Sequence, residues 1–574
     1  MRAHLAAALA LLAFPAPALA AAPAACPGAS IAPDRVITGE FGADVQGDYV
    51  LLPFDVPAGT TQVRVRYCYD QPDQRAPGAP IANTLDLGVY EPRHDGDAVW
   101  GEREFRGWGG SSHPDVQITP QGFTTTAAYE KDPRANAPGR TTRGFVPGPI
   151  PAGQWAAELG VASVTPVEQG DADGKVAWRV EIDFSDDPAF AAQPYEPAAF
   201  DATPAKREAG WYAGDLHVHA EMSNLGAATM KRTFDYAFAP LADGGAGLDF
   251  MTLSDYVGTD QWGEIGRYQA GHPGKQIVRS AEMITYRGHL NNHASARFVD
   301  YRTSTIWERR ADGSLAQLRG PRPPSAIFSE IHAAGGFTQV NHPMIFPSAV
   351  PSFSSFCRGC PWDYSDEETD WDQVDAFEVA TGPAGLRTEP RPGPNPFTPL
   401  AVNLYEHVLD TGAHVAAVGV SDSHTAGDAV ADVTDVTGAP LGMATTVVYA
   451  PELSEQGIED GVKAGHTYVK VWGNAGPDLR FEALDANGKV LGIMGDTVSG
   501  AATLRARVIG ADPFGLHDPY ELVVLRDRAP VLTVPIVQAD QTIDLPVLGA
   551  ARYRLQLQRS SSIEALTTPI WLTT

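Results

Sequence analysis

Between residues 206 and 474, six apolar runs in succession end in side chains able to bind metal ions. The first is Asp215-Leu216-His217-Val218-His219, where two imidazoles alternate with two aliphatic residues. On a strand, residues two apart point to the same face, so His217 and His219 would project side by side, with Asp215 on the same face. The others are Leu253-Ser254-Asp255-Tyr256, the stretch Ser280 to Thr285 that carries Glu282, Tyr286-Arg287-Gly288-His289, Val340-Asn341-His342-Pro343, and Gly419 to His424, where Asp422 and His424 are again two apart. Each alone is ordinary. Six in one segment are hard to obtain by chance, because buried carboxylates and imidazoles persist only when paired or coordinated.

The texture around these motifs gives an architecture. From 206 to about 474, strand-like runs such as Leu248 to Leu253 and Val415 to Val420 alternate with helical ones. Pro324 to Ala334 reads as a helix with proline in its first turn, closed by Gly335-Gly336 and followed by a strand from Gly336 to Asn341. Such alternation implies parallel β/α units with active groups at strand C-termini. Of the 15 histidines, all but His4, His94, His113 and His517 fall in this segment.

Short alternating runs flank it on both sides. In 27–205 they are Tyr49 to Val56, Gln62 to Tyr69, Thr84 to Tyr90, Gln154 to Gly160 and Val176 to Phe184; in 475–574 they are Leu479 to Ala483, Thr503 to Val508, Glu521 to Leu525 and Tyr553 to Leu557. Each flank is expected to be a β-sandwich, the C-terminal one smaller. Residues 190–209, rich in Ala and Pro, read as a linker. The aromatic loop Phe105 to Gly110 either packs its rings or lines a binding surface.

A formal charge of -28 and a pI near 4.8, with no Lys/Arg-rich run, argue against nucleic acid or an anionic membrane surface as partner. Residues 1–20 carry an apolar run from Leu5 to Phe14 and end Ala18-Leu19-Ala20, the pattern of a secretory leader. No later run is long enough to span a bilayer, so a secreted or periplasmic protein without stable membrane insertion is expected. Pro23-Ala24-Ala25 lacks the aliphatic residue that lipidation of Cys26 would call for. Cys26 and Cys68 are plausible disulfide partners. Cys357-Arg358-Gly359-Cys360 has no second cysteine or histidine pair to complete four ligands, so it reads as a small disulfide loop rather than a zinc site.

Taken in order, Asp-Leu-His-Val-His, Leu-Ser-Asp, Glu-Met-Ile-Thr-Tyr-Arg-Gly-His, Asn-His-Pro and Ser-Asp-Ser-His resemble the polymerase-and-histidinol-phosphatase (PHP) superfamily. The Gly-His after the Glu282 motif is most similar to its CehA/McbA-type metallohydrolase branch. The resemblance spans roughly 206 to 470 and implies a distorted (β/α)7 barrel, two divalent ions (Zn, Mn or Fe), and hydrolysis of phosphoesters or, in some members, of carboxyl or carbamate esters. Carried over, His217, His219, Glu282 and Asp422 would hold the first ion, and Glu282 would bridge to a second completed by His289 and His342. Asp422 would take the proton of a metal-bridging hydroxide's parent water. His424 would bind or protonate the leaving group, or serve a further metal.

The chain also departs from the pattern. Tyr256 stands where three-metal members place histidine, and Ala220-Glu221-Met222-Ser223 lacks their further ligand. A phenol titrating near 10 is a poor ligand, so two ions are expected, with Tyr256 donating to substrate and Asp255 either supporting a ligand from behind or serving as an auxiliary ligand. A third ion returns only if Glu221 turns inward. No motif claims His293, His332, His407 or His414, which read as surface or packing residues. Trp211 and Tyr212 read as core, and Asp215 as a group that orients one of the ligating histidines. The stretch Phe346 to Trp371 forms either a disulfide-stiffened lid or a packed loop. Arg279, Arg287 and Arg387 are candidates for a phosphate clamp.

Phosphoesters suit two ions best, and an aromatic lid would suit carboxyl or carbamate esters. The remaining alternative is a barrel without catalysis that binds carbohydrate or a protein partner through its β-domains. Retention of the buried ligand set opposes it.

Overall fold

The computed structural model describes residues 22–28, 32–70, 82–124, 136–169, 171, 173–223, 227–350, 357, 359–382, 387–388, 391–392, 395–428, 439–512, 519–560 and 562–574. The leader expected at 1–20 and the Arg387 side chain lie outside them. The chain is multidomain and mostly β-sheet, with some helices.

In the N-terminal region two sheets face each other. One orders the strands Arg35–Gly42, Lys175–Ser185, Gln62–Tyr69 and Asp115–Ile118; the other contains Tyr49–Val56, Gly153–Ser163, Thr84–Tyr90 and Phe105–Gly110. Alternation decides the packing. Val63, Val65 and Tyr67 meet Val50, Leu52 and Phe54 between the sheets, whereas Tyr49 and Leu51, on the opposite face of their strand, pack into the core of the central segment. That strand is therefore covered on both faces, as its nearly continuous apolar run requires.

The hairpin Ile306–Arg309 and Leu315–Arg319 comes from the central segment yet extends this N-terminal sheet, pairing parallel to Tyr49–Val56. At its base the fully buried Arg302 guanidinium binds Glu158 at 2.7 Å and Asp300 at 2.9 Å. Breaking one partner of such a pair costs about 3–5 kcal/mol. The two regions are thus joined by sheet pairing and by buried charge.

The central strands run in the order Ala416–Val420, Ala376–Thr381, Phe337–Val340, Gly288–His293, Gln276–Thr285, Phe250–Leu253, Gly210–Asp215, Thr445–Ala450. Gly210–Asp215, Phe250–Leu253 and Gln276–Thr285 are parallel, as are Phe337–Val340, Ala376–Thr381 and Ala416–Val420; between these triplets Gly288–His293 pairs antiparallel on both sides. The ends of this path lie side by side. Gly419 N–H donates to the Thr446 hydroxyl at 2.9 Å, and that hydroxyl donates back to the Gly419 carbonyl at 2.7 Å. The helix Pro324–Ala333 buries Pro324, Ile327, Phe328 and Ile331, one stripe at three- and four-residue spacing.

Beyond Thr445–Ala450 the sheet continues through Thr467–Lys470 into the C-terminal strands Ser562–Thr567, Ala551–Arg559, Tyr520–Arg526 and Ala529–Pro535. A second sheet around Asp478–Leu484 and Thr503–Ile509 closes on it over Leu479, Phe481, Leu504, Leu522 and Leu555. No helix among the described residues is long and apolar enough to cross a membrane. Cys26 and Cys68 form a disulfide, as do Cys357 and Cys360; the first hints at an oxidising compartment.

Candidate metal centre

The strand that leads to His217 and His219 ends at Asp215, so both histidines lie just beyond the regular ladder. They stay extended because the chain is held against the segment carrying Asp422. His219 N–H donates to the Ser423 carbonyl and Asp422 N–H to the His217 carbonyl, both at 2.9 Å. Asp215 lies beneath this junction. Its carboxylate accepts from the backbone N–H groups of His217 (3.1 Å), Ser421 (3.2 Å) and Gly442 (2.8 Å). It therefore fixes backbone, rather than orienting an imidazole as expected from the sequence.

Four buried side chains converge here. His219 Nε2 lies 3.0 Å from His217 Nε2 and 3.0 Å from Asp422 Oδ1; His217 Nε2 is 3.5 Å from Asp422 Oδ1 and 3.4 Å from Glu282 Oε1; His219 Nε2 is 3.4 Å from Glu282 Oε2. Donors held at about 2.0–2.2 Å around one ion are spaced in this way. Glu282 also reaches a second pair, with His342 Nε2 at 3.1 Å and His289 Nδ1 at 3.3 Å from its Oε1. Cys360 lies near these two histidines, but its sulfur is in a disulfide and offers no thiolate. Glu282 thus stands between two ligand groups, one with two histidines and Asp422, the other with two histidines.

Charge follows the same geometry. Burial alone would push His217 down, but Glu282, Asp422 and Glu378 outweigh it and hold the imidazole well above the usual histidine range. Burial pushes His219 down to about 3. Glu282 sits well below the carboxylate range even though burial raises it, because His217 faces it and His289 and His342 bond to it. The carboxylates draw positive charge onto His217 and His342, and a divalent ion would supply that charge without the proton.

Three of the histidines are oriented from their other nitrogen, the arrangement metal-ligating imidazoles need. His217 Nδ1 donates to Glu378 Oε1 at 2.8 Å, His219 Nδ1 to Ser223 Oγ at 2.8 Å, and His342 Nδ1 to the Cys360 carbonyl at 3.1 Å. Ser223 in turn donates to Asp255 Oδ1 at 2.5 Å. Asp255, expected either behind the ligands or as an auxiliary ligand, acts on His219 through Ser223; burial pushes it up to about 7, and its Oδ2 has no hydrogen-bond partner among the described residues. Glu378 belongs to none of the sequence motifs. Its one signal is that of a lone acid in the apolar run Ala376 to Thr381.

Tyr256 and His424, both expected in catalysis, bond to each other: the Tyr256 hydroxyl meets His424 Nε2 at 2.8 Å. The His424 ring stacks on His219 with centroids 4.1 Å apart. Trp108 of the N-terminal sheet contacts Tyr256 edge-on at 6.0 Å, so Phe105–Gly110, a strand rather than the loop expected from the sequence, packs beside the site. Glu221 faces outward from the cluster, paired with Arg143 at 3.3 Å and accepting from the Met230 N–H.

The remaining candidates lie elsewhere. Arg279 is bound to Glu455 at 2.6 Å and Arg287 to Glu368 at 2.7 Å, so both of these clamp candidates are engaged in ion pairs. His293 stacks on Phe337 at 4.5 Å and His414 on Trp571 at 3.9 Å, while His332 and His407 bond to Asp375 and Asp366. In the stretch 346–371, Trp362, Tyr364 and Trp371 are buried in the central core. The acidic run forms a helical turn, Asp366–Thr369, capped by Ser365 and Glu368. The described part of the expected lid is therefore packed. It also explains the Gly-His motif, because a Cβ on Gly288 would lie 2.5 Å from the Trp362 ring.

Two residues of the cluster have left-handed backbone, Asp422 at φ 53° and His342 at φ 25°. Such conformations persist where surrounding bonds enforce them, and they concentrate at functional sites.

No family model matches the chain, and no curated protein matches it. Among solved structures the chain is similar to a two-domain protein from Bacteroides vulgatus ATCC 8482, described as containing a predicted PHP-like metal-dependent phosphoesterase. The match covers 66% of this chain and 100% of that one, at 14% identity and a TM-score of 0.32.

Proposed function

We propose that this chain is an exported metal-dependent hydrolase of the PHP type, CehA/McbA branch, whose central strands form a distorted (β/α)7 barrel around a site for two divalent ions. One observation carries the reading: Glu282 Oε1 lies within 3.4 Å of ring nitrogens of His217, His289 and His342, the position of a carboxylate shared by two ions. The donors are imidazole and carboxylate, which suits Zn, Mn or Fe. Ions bound there would supply Lewis acidity and a shared water ionised near neutral pH.

The protein's own groups then divide the work. Asp422, beside both His217 and His219, would help hold the first ion and would accept a proton from the attacking water. Tyr256 and His424 form a hydrogen-bonded pair: with both ring nitrogens protonated, His424 donates to the phenol oxygen and the Tyr256 hydroxyl hydrogen is free to pass to the leaving oxygen. Trp108, against Tyr256, restricts access of bulk water on that side. Export is supported by the leader-like residues 1–20 and by the Cys26–Cys68 disulfide.

Phosphoesters are the first substrate class, since two ions neutralise phosphoryl oxygens well. The pairing of Arg279 with Glu455 and of Arg287 with Glu368 favours a second class, carboxyl or carbamate esters, which need no cationic clamp. A panel of aryl phosphate mono- and diesters, aryl carboxyl esters and aryl carbamates, assayed on metal-loaded protein, decides between them. Turnover of none of these would point to a non-catalytic protein acting through its β-domains.

A further inference from the structure

We infer that Glu378 is the positioning residue that sets both ligand groups at once, an inference that rests on the metal-centre reading above. Glu378 is fully buried on the strand Ala376–Thr381. Its Oε1 accepts from His217 Nδ1 and from Gln339 Nε2, both at 2.8 Å; its Oε2 accepts from the His342 backbone N–H at 2.6 Å and from the Thr381 hydroxyl at 2.9 Å. An ionised carboxylate has about four acceptor positions, and four donors fill them.

The ligands are constrained in two ways. Because Nδ1 of His217 carries the proton that Glu378 accepts, Nε2, the atom facing Glu282 and Asp422, is the nitrogen left to offer a lone pair to an ion. The other oxygen acts on the second group. His342 has φ 25°, a conformation that non-glycine residues avoid, and its N–H is bound by Glu378 Oε2. The ring of His342 is held separately, by the Cys360 carbonyl. One carboxylate therefore fixes the tautomer of a histidine in the first group and the backbone of a histidine in the second. Neither His217 nor His342 can shift without disturbing the acceptor that holds the other.

The isosteric change Glu378→Gln separates this role from simple packing. Whichever way the amide turns, its NH2 meets two donors, so one ligand loses its acceptor and the other loses the anion. Zinc affinity is measured by chelator competition on wild type, Glu378→Gln, Thr381→Val and His217→Ala, each first stripped of metal, with melting temperatures recorded in parallel. Glu378→Gln should weaken both zinc-binding steps by about 10–100-fold, whereas His217→Ala should weaken mainly one. Thr381→Val keeps the charge and touches no ligand, so it reports on the same network if Glu378→Gln does not fold; it should weaken both steps several-fold. A purely packing role would lower the melting temperature and leave zinc affinity alone, and that result, or a loss confined to one step, would overturn the inference. Absence of zinc binding by wild type would instead overturn the metal-centre reading, and this inference with it.

Discussion

The Tyr256 hydroxyl and Nε2 of His424 are hydrogen-bonded across 2.8 Å, while His424 Nδ1 is bound to the carbonyl of Asp422 at 3.2 Å. Both ring nitrogens of His424 are thereby occupied by protein. A phenol in this position closes off the nitrogen a third ion would use, and replacing it with imidazole should reopen the place. Tyr256→His should raise metal content from about two to about three ions per chain, and Tyr256→Phe should leave it at two. Elemental analysis reads both, and two ions in Tyr256→His would mean that the phenol is not what limits the site to two.

The second ligand group depends on the small disulfide loop. The Cys360 carbonyl takes the Nδ1 hydrogen of His342, and Cys360 packs with Ile345, Phe346 and Phe397. Replacing Cys357 and Cys360 by serine should weaken the ion held by His289 and His342 by roughly tenfold and leave the first position unchanged. Equal affinity at both positions, before and after, would show that packing alone holds the carbonyl in place.

Asp260 provides a pH test away from the ligands. Burial pushes its carboxyl up to about 7; its Oδ2 accepts from the Gly144 N–H at 3.1 Å and its Oδ1 has no hydrogen-bond partner among the described residues. Between about pH 4 and pH 7 the folded chain keeps a proton that the unfolded chain has lost, so stability falls as pH rises through that window. The loss is on the order of 4 kcal/mol by pH 8. Asp260→Asn removes the ionisation and should melt higher than wild type at pH 8 and about equally at pH 4. A gap that does not widen with pH would contradict the burial argument.

Much of this is legible in the sequence because period-two alternation and strand length survive folding almost unchanged. Tyr49–Val56, Gln62–Tyr69 and Thr84–Tyr90 are strands with the limits read from the chain, and the helix expected from Pro324 to Ala334 is Pro324–Ala333. His217, His219, Glu282, His289, His342 and Asp422 come together because His217, His219, His342 and Asp422 follow strands, while Glu282 and His289 lie on two strands paired with each other. What cannot be read from the chain depends on partners far apart in it. Glu378 touches His217 across 161 residues, and only its place in the apolar run Ala376 to Thr381 sets it apart from a surface acid. The hairpin Ile306–Arg309 and Leu315–Arg319 has ordinary alternation, and its sheet is decided by pairing with Tyr49–Val56 rather than by its own residues. Asp215 would face an imidazole only if the strand ran through His219. It ends at Asp215, and the backbone groups freed there take the carboxylate.

The measurement that bears most directly on the metal centre is elemental analysis of protein purified without chelator, on wild type, His342→Ala and Glu282→Gln. Wild type should hold about two divalent ions per chain, His342→Ala about one, and Glu282→Gln close to none, because that carboxylate serves both groups. Near-zero occupancy in wild type that added zinc, manganese or iron does not restore would contradict the dinuclear site and turn attention to the two β-domains.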